Sequence, residues 1–333
     1  AMWGFYRQEI DLSVMTVEVY RIAEMPILLA IPLFTFAGYL LSESNAPSRL
    51  VRITRSLIGW MPGGLAVVAL SVCALFTAFT GASGVTIIAL GALLFPALIE
   101  DGYDEKFSLG LVTTSGSLGL LFAPSLPLIL YGIVAQQTAA GSSVSIDRLF
   151  LAGVFPGILM IALLSGWAIW RNRKLRVPLA AFSTRELLAT ARESMWDIPL
   201  PMIVLGGIYS GYFAVSEAAT VTVVYVLLVE VLILREIKLK ELPQIVRKSM
   251  ALVGGIMVIL GLSMASTTYM IDAGVPEKLF AFVKEHVSSQ LSFLLLLNLF
   301  LLALGAILDI FSALVLVVPL ILPVAVGFGI DPL

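Results

Sequence analysis

Charge is scarce in this chain. Of its 333 residues only 13% are Asp, Glu, Lys or Arg, against about a quarter in ordinary soluble domains. With 59% hydrophobic residues and a mean hydropathy of +1.03, a soluble globular domain is excluded. Apolar runs long enough to cross a bilayer, roughly 17 to 25 residues, recur from end to end, so the class is an all-α polytopic membrane protein and not a barrel. The lone cysteine, Cys73, excludes an intrachain disulfide, and its apolar neighbours make it a packed core thiol. The lone histidine, His286, cannot build a metal site. A formal net charge of −2 lacks the basic excess of a nucleic-acid binder, and the partner that composition implies is the lipid bilayer. Residues 1–24 carry no basic segment leading into an apolar core and cleavage site; their scattered Arg7, Glu9, Asp11, Glu18, Arg21 and Glu24 read as a polar lead-in.

What the chain does have is a pair of interrupted apolar runs, 64–99 and 108–138. The first breaks at Thr80-Gly81-Ala82-Ser83-Gly84, the second between Thr113-Thr114-Ser115-Gly116-Ser117 and Pro124-Ser125-Leu126-Pro127. An unpaired backbone group costs several kcal/mol in hydrocarbon, so irregular backbone at depth is confined to places packed in protein or lining a watery cavity. In secondary transporters such breaks hold the substrate or the coupling ion. The first run reads as a re-entrant helical hairpin, although two full crossings return the chain to the same side as well.

Around these runs the chain orders itself by its charges. A span over Met25 to Leu41 leads to an amphipathic helix begun by Pro47, with Leu50, Ile53, Leu57 and Trp60 on one side and Arg49, Arg52, Arg55 and Ser56 on the other; it is expected to lie in the headgroups. After the broken crossing, a span over 149–170 ends at Arg171, Arg173, Lys174 and Arg176, continued by Arg185 and Arg192, which marks the cytoplasmic side. Two further runs, 198–213 and 214–234, return to the basic patch Arg235, Lys238, Lys240, Arg247 and Lys248. A span over 250–271 then leads outward to a second amphipathic helix, 276–289, and to a last apolar run, 291–330, broken by Asp309 and Ser312.

Residues Pro47-Ser48-Arg49-Leu50 and Pro276-Glu277-Lys278-Leu279 each follow the end of a span, at an offset of 229 positions that also carries Ser83 onto Ser312 and Thr80 onto Asp309. One amphipathic helix is expected inside and the other outside, so the two repeats are read as inverted. The expected organisation is a lead-in over 1–24, a first repeat over 25–170, central helices and basic loops over 171–248, and a second repeat over 249–333. The partner of the second break would fall beyond Leu333, so the second repeat is expected to be C-terminally incomplete.

Asp309 is the one acid inside the last apolar run, where a lipid-facing carboxylate would cost roughly 2.5 to 3.5 kcal/mol. Two roles stay open for it, ion ligand or cap of the following helix. Glu217 raises the same question nearer a loop. Ser83, Thr86, Ser115, Ser117 and Ser125 offer neutral oxygens beside broken backbone, and residues this small also permit close helix packing. Gly81-Ala82-Ser83-Gly84 matches the G-x-S-G of rhomboid-type intramembrane serine proteases. Such a serine needs a base within reach, and His286 falls on the outer amphipathic helix instead of at depth.

These residues bear a family resemblance. Gly116-Ser117-Leu118-Gly119, Pro124-Ser125-Leu126-Pro127 and Tyr131-Gly132, then Gly206-Gly207-Ile208-Tyr209-Ser210-Gly211 and Glu217-Ala218-Ala219, then Leu308-Asp309, Pro319 and Pro323 together resemble the large membrane subunit of the tripartite ATP-independent periplasmic (TRAP) transporters, from about Met25 onward. The resemblance implies an elevator-type carrier in the inner membrane of a bacterium or archaeon. It would take a small organic acid, of the carboxylate or sialic-acid class, from a periplasmic substrate-binding protein and work with a small four-helix membrane subunit. The coupling ion implied is Na+, with a proton as the alternative. Carried over by position, Ser83, Thr86, Ser115, Gly116, Ser117 and Gly119 would border one sodium site, Asp309 and Ser312 half of a second, and Pro124 and Ser125 the substrate. Ala123 departs from the family's first of two prolines, Ala214-Val215-Ser216 from its Thr-Pro-Thr, and a final Thr-Pro-Pro motif is missing.

Overall fold

The computed structural model describes residues 24–61, 63–173, 183–287 and 289–333, together with Ser13, Thr16, Val17 and Tyr20. Apart from those four, the lead-in over residues 1–23 lies outside the described residues, as do Pro62 and the basic-block members Lys174 and Arg176. All regular structure among the described residues is helical. A 3₁₀ turn, Pro26–Leu29, precedes α1 (Ala30–Glu43), α2 (Ala46–Ile58), α3 (Gly64–Thr80), α4 (Ser83–Glu100), α5 (Glu105–Leu118), α6 (Leu126–Gln136) and α7 (Ile146–Arg171). Then come α8 (Thr184–Glu193), α9 (Pro199–Tyr209), α10 (Val215–Leu227) with a π-helical continuation, Leu228–Ile233, α11 (Leu242–Asp272), α12 (Val275–His286), α13 (Gln290–Gly305) and α14 (Ile310–Gly327). Among the described residues, six helices are long and apolar enough to cross a membrane, or up to eight spans if each of two bent pairs counts as one.

By packing, the chain divides into two bodies. The first comprises Leu29–Leu126 and Phe150–Met250. Its centre is α3, which buries every residue but Ser71 and Leu75 because it is apolar all round, as a helix enclosed by others must be; α1, α2, α4 and α5 pack against it. The second body contains Pro127–Leu149 and Ala251–Leu333. There α12 lies on α14, Phe293 stacks on Phe328, and the Tyr131 hydroxyl donates to the Pro332 carbonyl at 2.6 Å. Residues 127–149 thus belong by contact with the C-terminal helices.

Three local readings need correction. Helix α8 falls where only a basic loop was expected, because a polar, amphipathic segment leaves no mark on hydropathy. Ser183 starts it, accepting from the Glu186 N–H. Helix α11 begins at Leu242, eight residues before the apolar stretch it carries across. The third concerns α2, whose Arg49 is 5% exposed instead of facing headgroups. Its guanidinium donates to Asp197 twice, Nε to Oδ2 at 2.6 Å and Nη2 to Oδ1 at 3.1 Å, to Glu230 Oε1 at 3.1 Å, and through Nη1 to Glu236. Meanwhile Leu57 and Trp60, expected on the apolar face, are about half exposed, and α8 covers the polar side of α2 through Ser56–Thr190 and Arg52–Glu193 contacts.

The two amphipathic helices keep the 229-residue offset, Asn45 standing at the N-cap of α2 and Gly274 at that of α12. The hairpin tips do not. Ala82 is the N-cap of α4 and Asp309 that of α14, 227 positions apart, so cap geometry pairs Asp309 with Ala82 and not with Thr80. Arg52, Arg173 and Lys284 are all exposed, whereas Cys73 is buried. In a Cys73→Ala background, cysteines at 52 and 173 are expected to resist a membrane-impermeant thiol reagent in intact cells while a cysteine at 284 reacts. Equal labelling at 52 and 284 would end the inverted-repeat reading.

Candidate functional site

The first hairpin tip turns at Gly81-Ala82 between α3 and α4. Gly81 ends α3 at φ 63° and its missing Cβ leaves room for Leu126, whose Cγ would otherwise stand 2.3 Å away. Around the tip three threonine hydroxyls meet, from Thr77, Thr80 and Thr86, each fully buried. Thr77 Oγ1 lies 2.8 Å from Thr86 Oγ1, which lies 3.1 Å from Thr80 Oγ1. Thr77 Oγ1 also sits 2.7 Å from the carbonyl of Cys73 and 2.9 Å from that of Gly116. A hydroxyl has one proton to donate, so Thr77 serves one carbonyl at a time and the tip holds more oxygen acceptors than protons.

The end of α5 closes on this cluster. An added Cβ at Gly119 would stand 2.2 Å from the Ala74 carbonyl oxygen and 2.5 Å from Thr77 Cβ, and one at Gly116 would stand 3.2 Å from the Ser83 carbonyl oxygen. Helix α5 starts on Asp104, which accepts from the N–H groups of Lys106 and Phe107, and gives way to a 3₁₀ turn, Gly119–Leu121. Among the expected sodium-site residues, then, Thr86, Gly116 and Gly119 come together at the tip, with the Ser83 backbone beside them. Ser115 is buried and donates to the Val112 carbonyl at 2.9 Å. Ser117 is exposed and donates to the Thr114 carbonyl at 2.8 Å, so its hydroxyl belongs to the outer surface of its own helix. Pro124 and Ser125 are buried in the break, where Ser125 Oγ donates to the Leu120 carbonyl.

Thr77 was not singled out from sequence, since one threonine in an apolar run looks like packing. The signal was its i, i+3 spacing to Thr80 just ahead of Gly81, which puts both hydroxyls on the face that meets the tip.

In the second body, Asp309 caps α14. Its carboxylate accepts from the N–H groups of Phe311 at 3.0 Å and Ser312 at 3.2 Å. Glu217 accepts from the Ala214 N–H at 2.9 Å, one half of a capping box whose other half an alanine cannot supply. His286 contacts the Phe282 carbonyl in its own helix at 2.9 Å.

The family model for the DctM component of the tripartite ATP-independent periplasmic transporters matches residues 1–333. The C4-dicarboxylate TRAP transporter large permease protein DctM of Pseudomonas aeruginosa is 32% identical over 96% of this chain and 73% of its own length. Its counterpart in Rhodobacter capsulatus is 30% identical over 98% of this chain and 76% of its own length. The ectoine/5-hydroxyectoine TRAP transporter large permease protein UehC of Ruegeria pomeroyi is 29% identical over 92% and 70%. A transporter family leaves no place for the serine-protease reading of Ser83, and the apolar helices fit a multi-pass protein of the inner membrane. The chain belongs to the DctM family, the large permease component of TRAP transporters.

Proposed function

We propose that this chain imports a small organic acid by an elevator cycle driven by a sodium gradient, receiving its substrate from a periplasmic binding protein and working beside a small four-helix membrane subunit. The observation that carries the choice of ion is the chemistry of the first hairpin tip. Thr77, Thr80, Thr86 and the Gly116 carbonyl present only neutral oxygens, which suit a hard cation, and none of them titrates in the range a proton carrier needs. Substrate class rests on the relatives, named for C4-dicarboxylates, for isethionate and for ectoines. Pro124 and Ser125 shape the break beside which the substrate would pass, and Asp309 and Ser312 would contribute to a second sodium site.

Reconstitution with a binding protein and small subunit tests this reading. Accumulation of a C4-dicarboxylate, isethionate or ectoine should follow an imposed sodium gradient and survive collapse of the proton gradient; uptake driven by protons alone would overturn it. Asp309→Asn separates the two roles of that carboxylate. Asparagine caps a helix about as well as aspartate, so a pure cap leaves sodium dependence unchanged. Loss of a charged ligand, at about 1.5 to 3 kcal/mol, should instead raise the sodium concentration for half-maximal uptake by about tenfold or more.

A further inference from the structure

The Arg49 cluster holds more negative charge than its neighbours neutralise. One guanidinium from α2 faces Asp197 from the turn before α9, Glu230 from the π-helical turn and Glu236 from the loop that follows. Among the described residues, Lys248, Arg52 and Arg235 are engaged elsewhere or face outward. Lys248 of α11 pairs with Glu43 of α1 at 2.6 Å, Arg52 pairs with Glu193 at 3.0 Å, and Arg235 is exposed. The Tyr225 hydroxyl of α10 donates to the Trp196 carbonyl at 2.7 Å. The Glu230 side chain is 1% exposed. Its Oε1 accepts from Arg49 Nη2, but among the described residues its Oε2 finds no donor, and the same guanidinium holds Glu236 through Nη1, which sets a second carboxylate beside the first. Two carboxylates offer only acceptors to each other, so they share a hydrogen bond only when a proton lies between them.

The backbone commits Glu230 to this place. Its carbonyl accepts from the Glu236 N–H at 2.9 Å and from the Ile237 N–H at 3.3 Å, which folds the loop back and brings the second acid over the first. Glu236 in turn accepts from the Asn45 N–H at 2.8 Å, the N-cap position of α2, and lines a polar cavity of about 370 Å³ with Glu43, Glu241, Gln244, Ile245 and Lys248. That cavity gives water a route to the outer acid while the inner one stays dry.

We propose that Glu230 and Glu236 hold a single proton between them, making the root of the α2 arm a proton-binding site open to the compartment on which the cavity opens. Bound, the proton leaves the buried cluster with one negative charge less and joins the loop after the π-turn to the arm. Released, it sets two carboxylates against each other beside the arm's N-cap.

Infrared spectroscopy of the purified intact protein at neutral pH tests the site directly. The wild type should show the C=O stretch of a protonated carboxyl group, shifted in D2O, and Glu230→Gln should lose that band while Glu241→Gln, altered only in the cavity wall, keeps it. Glu236→Gln removes the neighbouring negative charge and should move the band's titration midpoint to lower pH. A wild type without the band, or a band that survives Glu230→Gln, would overturn the proposal. Where Glu230→Gln fails to fold, an unmoved midpoint in Glu236→Gln would overturn it equally.

Discussion

Gly119→Val is expected to abolish uptake, and Gly119→Ala to lower it by at least about tenfold. The Cβ of any residue here falls 2.2 Å from the Ala74 carbonyl oxygen, 2.5 Å from Thr77 Cβ and 2.6 Å from the Ala78 nitrogen. Two of those three atoms are backbone of α3, enclosed by other helices, and cannot swing aside as a flexible side chain would. Relief must come from separating α5 from α3, which pulls the Gly116 carbonyl off Thr77 and opens the threonine cluster. Overpacking of a tight interior costs typically about 1 to 3 kcal/mol, enough to disturb the tip without unfolding the protein. Ser117→Ala is the control two positions away. Its hydroxyl serves only the Thr114 carbonyl on an exposed face, so uptake should be close to wild type. Sodium-driven uptake beside a thermal unfolding curve for each variant checks the pair; undiminished, sodium-dependent uptake by Gly119→Val would move the ion site elsewhere.

What could be read in the sequence was whatever a membrane imposes locally. The spans and both breaks followed from hydropathy and from small polar residues where leucine belongs, and the hairpin ends agree with the structure to within a residue, 64–99 against Gly64–Thr80 and Ser83–Glu100. Family motifs then located Gly116 and Gly119. The threonine cluster was half visible: Thr86 lies beside the break, but Thr77 reaches the site from a full turn earlier, and its role depends on the approach of α5, 39 positions on. Ser117 went the other way. Its place in a motif suggested a ligand, yet adjacent helical positions point about 100° apart, so Ser115, Gly116 and Ser117 could not all face one site.

The Arg49 cluster was illegible for a different reason. A helical wheel groups Arg49 with Arg52 and Arg55, and nothing local distinguishes a buried arginine from two exposed ones. Its partners lie 148 to 187 positions away, on a turn, a π-helical bulge and a loop. A glutamate near the end of an apolar run, as Glu230 is, was the available hint: an acid retained there needs a partner, and Arg49 of the amphipathic arm supplies it. Packing thus joins segments whose pairing leaves no periodic trace, and α8 was missed for a related reason, being held by α2 and not by its own hydropathy.

Arg49→Ala is expected to be the most destabilising single substitution outside the hairpin. The arginine pairs bidentately with Asp197 and bonds Glu230 and Glu236, and although burial works against the charge, the hydrogen bond to Asp197 and the negative charges of the three carboxylates hold its proton more tightly than usual. Removing it strands buried carboxylates, a loss on the order of 3 to 5 kcal/mol where one partner of a buried ion pair is deleted. Lysine should recover only part, because a single ammonium cannot present the planar fork that meets Asp197 through two bonds. The converse follows from the same physics. Since desolvating a charge cluster costs about as much as its attraction returns, replacing its most buried members, Arg49, Asp197 and Glu230, by neutral groups of similar size is close to neutral. Arg49→Met combined with Asp197→Asn and Glu230→Gln should therefore unfold nearer the wild type than Arg49→Ala does. Thermal unfolding of the three proteins in the same detergent reads the order directly. A triple variant no more stable than Arg49→Ala would mean that the arginine stabilises the arm by packing its stem and not by neutralising the acids around it.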